Sequence, residues 1–178
     1  ELAYKASHDS LTGLLNRDAI YHWVETQAHQ QNTLACMMLD VDNFKSVNDQ
    51  HGHLTGDDML RNIADLCQQV VSNYGVTGRW GGEEFVIFLS NVHLQQAIEL
   101  AEELRQRCES FVYSNAEENI QRTVSIGISV YQENISLADQ VQNANQLIKH
   151  LVYLADKSLY QAKAQGKNKV VTTYDLDS

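Results

Sequence analysis

The chain has 178 residues, 43% of them hydrophobic, which is enough for one domain with its own core and too few to expect two. Its formal net charge of −10 argues against nucleic-acid or anionic-membrane binding, since both favour a cationic face. No apolar run reaches the roughly 18 residues of a membrane span and no signal-peptide pattern occurs.

The segment is therefore expected to be cytoplasmic and to make no direct membrane contact, while its parent protein is free to be membrane-attached. It begins at Glu1, which suggests a fragment of a longer protein. Cys36, Cys67 and Cys108 are scattered through apolar patterns and read as buried free thiols in a reducing compartment. The histidines, His51 and His53 included, lack zinc-ligand spacing, and no structural zinc is expected.

In chain order, residues 1–8 are mildly helical and read as a linker helix from an upstream region. Residues 9–16 hold a turn whose Leu11 and Leu14 staple it to the core, and a helix follows over 17–30. The apolar run 33–39 is a strand that hands over to polar chemistry at Asp40. An Asp there is placed for a ligand site, although it is also ordinary turn chemistry. Asp42 is positioned to cap the short helix that follows.

Residues 54–71 repeat apolar positions at helical spacing, with Asp57 in the first turn, where the helix dipole favours an acid. Residues 77–89 form a hairpin, with Gly81 and Gly82 as its two-residue turn. Phe85 to Leu89 is apolar throughout, as in a central strand covered on both faces. Glu83 and Glu84 then stand side by side at the mouth of a buried strand. Either they are solvated turn charges, or their repulsion is relieved by a bound cation.

A helix over 94–111 and a strand over 123–130 come next. The stretch 132–150 is rich in Gln and Asn and partly helical in pattern, and a final helix over 151–165 and an edge strand over 169–173 follow. The order β-α-α-β-β-α-β-α-β fits an α+β fold with a mainly antiparallel central sheet flanked by helices.

Gly81-Gly82-Glu83-Glu84-Phe85 resembles the signature of the GGDEF family of diguanylate cyclases, in its GGEEF form. Asp9-Ser10-Leu11-Thr12-Gly13-Leu14-Leu15-Asn16-Arg17 is similar to the family's opening motif. Asp40 to Lys45, Asn48-Asp49 and Gly52-His53-Leu54-Thr55-Gly56-Asp57 resemble its metal and guanine segment. The stretch from Ala155 to Lys163 and the turn Gly166-Lys167-Asn168 resemble its closing helix and turn. With these elements in order, the resemblance covers nearly the whole chain and makes residues 9–178 the catalytic domain, with 132–150 as an insertion relative to the family's spacing.

The resemblance implies the ferredoxin-like palm of nucleotide cyclases. It also implies condensation of two GTP into cyclic di-GMP with release of two pyrophosphates, in a bacterial second-messenger signalling protein. Asp40, the Val41 carbonyl, Glu83 and Glu84 are then the metal site, for two Mg²⁺ ions per active site or Mn²⁺ in their place. Glu83 is the candidate for promoting deprotonation of the attacking hydroxyl, with Glu84 and Lys45 beside it. Asn48 and Asp57 are expected to read guanine, with His53 as neighbour. A carboxylate accepts the paired N1 and N2 donors of guanine, and adenine presents no such pair.

Lys45, Lys163 and Lys167 are expected at the terminal phosphates. At Lys167 the family usually has arginine, and lysine offers a point charge in place of a fork. One domain holds one GTP, so joining two substrates calls for a transient or obligate homodimer. The rival reading is a catalytically weak GTP-binding regulatory module. Many members carry an R-x-x-D product-inhibition site before the signature. The corresponding stretch here is Ser72-Asn73-Tyr74-Gly75, which offers no such charges, so no product-inhibition site is expected. Arg79 is read as a partner of the acidic cluster.

Overall fold

The computed structural model describes residues 2–30, 33–114, 117–131 and 143–172. In chain order its elements are α1 (Leu2–Ser7), α2 (Arg17–His29), β1 (Leu34–Val41), α3 (Phe44–His51), α4 (His53–Val71), β2 (Gly75–Arg79) and β3 (Glu84–Ser90). They continue with α5 (Leu94–Ser110), β4 (Tyr113–Ser114), β5 (Asn119–Ile120), β6 (Val124–Tyr131), α6 (Ala144–Ala164) and β7 (Val170–Thr172).

The main sheet has the order β2-β3-β1-β6-β7, antiparallel except where β7 runs parallel to β6. This is the expected α+β architecture. Its central strands are apolar at successive positions because both faces are covered. Ala35, Met37, Leu39, Phe85, Ile87 and Leu89 face one core with α4 and α5. Cys36, Met38, Val86 and Phe88 alternate onto the other, against α2 and α6. All three cysteines are free and buried, as their apolar settings indicated.

One close approach decides how α6 sits. A β-carbon at Gly127 in β6 would lie 2.1 Å from the Ala155 carbonyl oxygen and 2.3 Å from the Leu159 nitrogen. The helix backbone therefore rests directly on the strand, which only a residue without a side chain permits.

Several local expectations are corrected. Strand β1 runs on to Val41, so Asp40 lies inside the sheet, directly opposite Glu84 on β3 and Ser125 on β6. The hairpin does not turn on a two-residue Gly-Gly loop. Gly81, Gly82 and Glu83 all lie between the strands, the Trp80 N–H donates to the Glu84 carbonyl at 2.9 Å, and neither glycine has positive φ. Helix α4 starts at His53, which places Asp57 beyond the first turn, so the dipole argument for it falls. The final helix, α6, starts at Ala144 and not at the expected residue 151, and is capped by the Asn143 side chain; residues 132–142 lie outside the described residues. The short β4–β5 hairpin was not expected, because two-residue strands carry no readable periodicity.

Candidate active site

The ends of β1 and β3 and the last turn of α6 meet at one edge of the sheet. Antiparallel pairing sets Asp40 against Glu84, and the Val41 N–H donates to the Glu83 carbonyl at 3.4 Å, drawing the loop acid alongside the end of β1. Lys163, from the last turn of α6, places its ammonium 2.7 Å from Asp40 Oδ2 and 4.0 Å from Asp42 Oδ1.

Two like charges facing each other across a strand pair repel, and burial worsens the penalty. Burial raises the Asp40 pKa above the usual carboxylate range. The hydrogen bond and charge of Lys163 oppose that shift, while Glu83 and Asp42 reinforce it. Glu84 is raised in the same way, by burial first and then by Asp40, Asp156 and Glu83. Asp156 on α6, itself raised by burial, is an acid of this neighbourhood that sequence reasoning did not single out. Its place in a helix far along the chain gave no signal of proximity.

Asp40 Oδ1 is buried and has no hydrogen-bond partner. A carboxylate oxygen in that condition is an acceptor without a donor, which a hard cation satisfies. Among the described residues no three His, Cys, Asp or Glu side chains converge on one point. Mg²⁺ does not need them to, since it is commonly held by one or two carboxylates together with substrate phosphates and water. The residues present therefore fit such an ion.

Asp42 does not cap α3. The N-cap is Asn43, in the left-handed conformation at φ 58° and without a side-chain cap bond. Asp42 is 1% exposed and accepts the Thr123 hydroxyl (2.7 Å), the Ser125 hydroxyl (2.7 Å) and the Asn168 N–H (3.0 Å). It thereby joins the end of β1 to the start of β6 and to the turn after α6. That turn carries Lys167, at φ 66°, whose ammonium donates to Asn43 Oδ1 at 2.7 Å. Arg105 on α5 holds the same turn by donating to Asn168 Oδ1 at 2.9 Å.

The other expected residues lie on α3 and α4. Lys45 is exposed in the first turn of α3, and His53 is exposed at the start of α4. Asn48 and Asp57 are half-buried. A β-carbon at Gly56 would stand 2.0 Å from Asn48 Oδ1, so the missing side chain lets Asn48 lie directly against α4, at the residue before Asp57. Arg79 does not pair with the acidic cluster. It donates to the Gly82 carbonyl at 2.9 Å and faces Asp9 at 3.4 Å. Arg17 donates to the Trp80 carbonyl at 2.8 Å with its guanidinium 4.2 Å from the Trp80 ring centroid, a clamp that sequence reasoning missed.

Among solved structures this fold is that of GGDEF domains. The GGDEF domain of DgcB from Caulobacter crescentus, in complex with c-di-GMP, matches with a TM-score of 0.83 and 27% identity, over 95% of this chain and 96% of that one. The active GGEEF domain of a diguanylate cyclase from Vibrio cholerae matches with a TM-score of 0.74 and 33% identity, over 90% and 97%. The family described as Diguanylate cyclase, GGDEF domain, matches residues 6–169, and the chain belongs to that family. A diguanylate cyclase of Vibrio cholerae serotype O1 is 35% identical over 95% of this chain and 50% of its own length. The chain spans about half or less of the length of the curated relatives it matches.

Proposed function

We propose that this domain is a diguanylate cyclase, condensing two GTP into cyclic di-GMP and two pyrophosphates. The observation that carries the reading is Asp40. Paired with Glu84 at the mouth of the signature hairpin, it has a buried, unpartnered Oδ1, while its other oxygen is held by Lys163, in a chain of the diguanylate cyclase family.

Asp40, the Val41 carbonyl, Glu83 and Glu84 would hold Mg²⁺ or Mn²⁺, two ions to a site. When bound, the ions supply a lowered pKa at the attacking 3′-hydroxyl and charge neutralisation at the phosphates. The chain's own residues do the positioning. Lys163 and Lys167, tethered beside Asp40 and Asn43, approach the triphosphate with Lys45 from α3. A β-carbon at Gly82 would meet nothing within 4 Å, so the loop leaves open space in which phosphate oxygens can approach its backbone. Asn48, packed against Gly56, and Asp57, the next residue of α4, would offer guanine a donor and an acceptor, and Asp57→Ala is expected to weaken discrimination against ATP. Each chain binds one GTP, so a second copy brings the other. A cytoplasmic setting, where GTP is available, suits three buried free thiols.

The test is nucleotide analysis after the chain, fused to a dimerising coiled coil, is incubated with GTP and Mg²⁺. Cyclic di-GMP and pyrophosphate are expected, and Asp40→Asn and Glu83→Gln should each abolish them while the variants stay folded. GTP binding without product would make the domain a regulatory module, and normal turnover in either variant would overturn the metal assignment.

A further inference from the structure

Arg122 stands two residues before β6 and differs in its partners from the other arginines. The sequence has six. Arg61, Arg79, Arg105 and Arg107 each face a carboxylate, and Arg17 lies over the Trp80 ring. Among the described residues, Arg122 donates only to neutral oxygens, from Nη1 to the Gln121 carbonyl at 2.8 Å and from Nη2 to the Ser46 hydroxyl at 2.9 Å. Its Nε is buried and has no partner. In a chain of net charge −10, a half-buried guanidinium with an unused donor and no paired carboxylate is costly unless an anion completes it.

The space for that anion is a cavity of about 390 Å³ lined by Asp42, Asn43, Ser46, Gln121, Arg122 and Thr123. Two of its walls connect it to the triphosphate lysines. Asn43 holds the Lys167 ammonium at 2.7 Å, and Asp42 lies 4.0 Å from that of Lys163. The Asp42 carboxylate is turned to other work, since its oxygens already accept from Thr123, Ser125 and Asn168. Its charge is thus met by three donors, and the guanidinium is the unmet charge on the cavity wall.

We propose that Arg122 grips the terminal phosphate of the nucleoside triphosphate, supplying from the start of β6 the planar fork that Lys167 cannot supply from its turn. The proposal rests on the GTP-binding reading above and deepens it, making Arg122 a residue that selects triphosphate over shorter phosphate chains. Ser46 holds the guanidinium at the cavity wall by accepting from Nη2 at 2.9 Å.

The experiment is calorimetric titration with 3′-deoxy-GTP and Mg²⁺, an analogue without the attacking hydroxyl, and separately with GMP. Arg122→Ala should weaken 3′-deoxy-GTP binding about tenfold or more and leave GMP binding unchanged. Arg122→Lys, which keeps the charge, should recover part of the loss. Arg122→Gln, which keeps a donor to Ser46 and loses the charge, should not. Equal losses for both nucleotides, no loss at all, or rescue by Gln and not by Lys would each overturn the proposal. A chain that binds 3′-deoxy-GTP through Arg122 and yet forms no cyclic di-GMP from GTP would sustain this inference while removing the cyclase reading.

Discussion

The Lys163 ammonium sits 2.7 Å from Asp40 Oδ2 and leaves the buried Oδ1 of the same carboxylate without a partner. Lys163 is thus a resident counter-charge for the acids at the hairpin mouth, and under the proposed function it is also a phosphate ligand. The two roles separate in Lys163→Met. Divalent-cation binding in the absence of nucleotide should tighten a few-fold, because the competing cation is gone, while the KM for GTP should rise about tenfold. Mn²⁺ titration followed by thermal shift, alongside steady-state kinetics, measures both. Weaker Mn²⁺ binding would show that Lys163 organises the ion site instead of competing for it.

Asp42 is a buried charge whose oxygens are fully engaged, so its loss should be felt in stability before catalysis. Asp42→Ala would strand two hydroxyls and an N–H facing an empty pocket, at a cost of about 3 kcal/mol or more. Asp42→Asn turns a donor toward donors and should recover little of it. Urea denaturation measures the loss, and a change below about 1 kcal/mol would mean that water replaces the carboxylate.

Asp9 provides an acid-sensitive contact away from the catalytic edge. Burial raises its pKa, but the Thr12 hydroxyl and N–H, at 2.7 and 2.9 Å, and the Arg79 charge outweigh that and hold it below the usual carboxylate value. A folded pKa below the unfolded one stabilises the fold above about pH 4, and the contribution disappears as pH falls through the folded value. The stability gap between the natural chain and Asp9→Asn should therefore be constant from about pH 5 upward and shrink below about pH 4. Denaturation at pH 7 and pH 3 reads it. A gap that widens in acid would place the favourable contacts on the protonated form.

The family's product-inhibition residues would fall at Ser72 and Gly75. A β-carbon at Gly75 would lie 1.9 Å from the Phe88 carbonyl oxygen, so this backbone admits no aspartate there. Cyclic di-GMP titrated into the nucleotide-free domain is expected to show no submicromolar binding dependent on residues 72–75. Combining Ser72→Arg with Gly75→Asp should cost stability by overpacking, about 1–3 kcal/mol, without creating a site. Tight binding lost on changing Ser72 or Asn73 would refute this.

The strands were legible because residues 34–39 and 85–89 are apolar without interruption, and the paired acids after two glycines pointed to the sheet edge where the candidate site is proposed. Asp42 was misread for a physical reason. An aspartate after an apolar run has the local chemistry of a cap, whereas its actual partners Thr123, Ser125 and Asn168 are 81, 83 and 126 residues away. Arg122 and Asp156 gave no sign for the same cause. The significance of each lies in what another segment brings to it. The loop glycines were readable as a hairpin, but their backbone angles were not, because a longer loop relaxes the demand for positive φ.

The missing β-carbon at Gly127 is a mechanical gauge. Helix α6 touches the sheet at Ala155 and Leu159, and Lys163 lies one turn further, about 6 Å along a stiff rod. Adding even a methyl at 127 lifts the rod at its point of contact and shifts the ammonium away from Asp40 by a comparable distance. The distance between Lys163 and the acid it faces is thus calibrated by an interior glycine outside the acidic cluster. Attempts to retune affinity from the pocket's visible lining alone would overlook that adjustment.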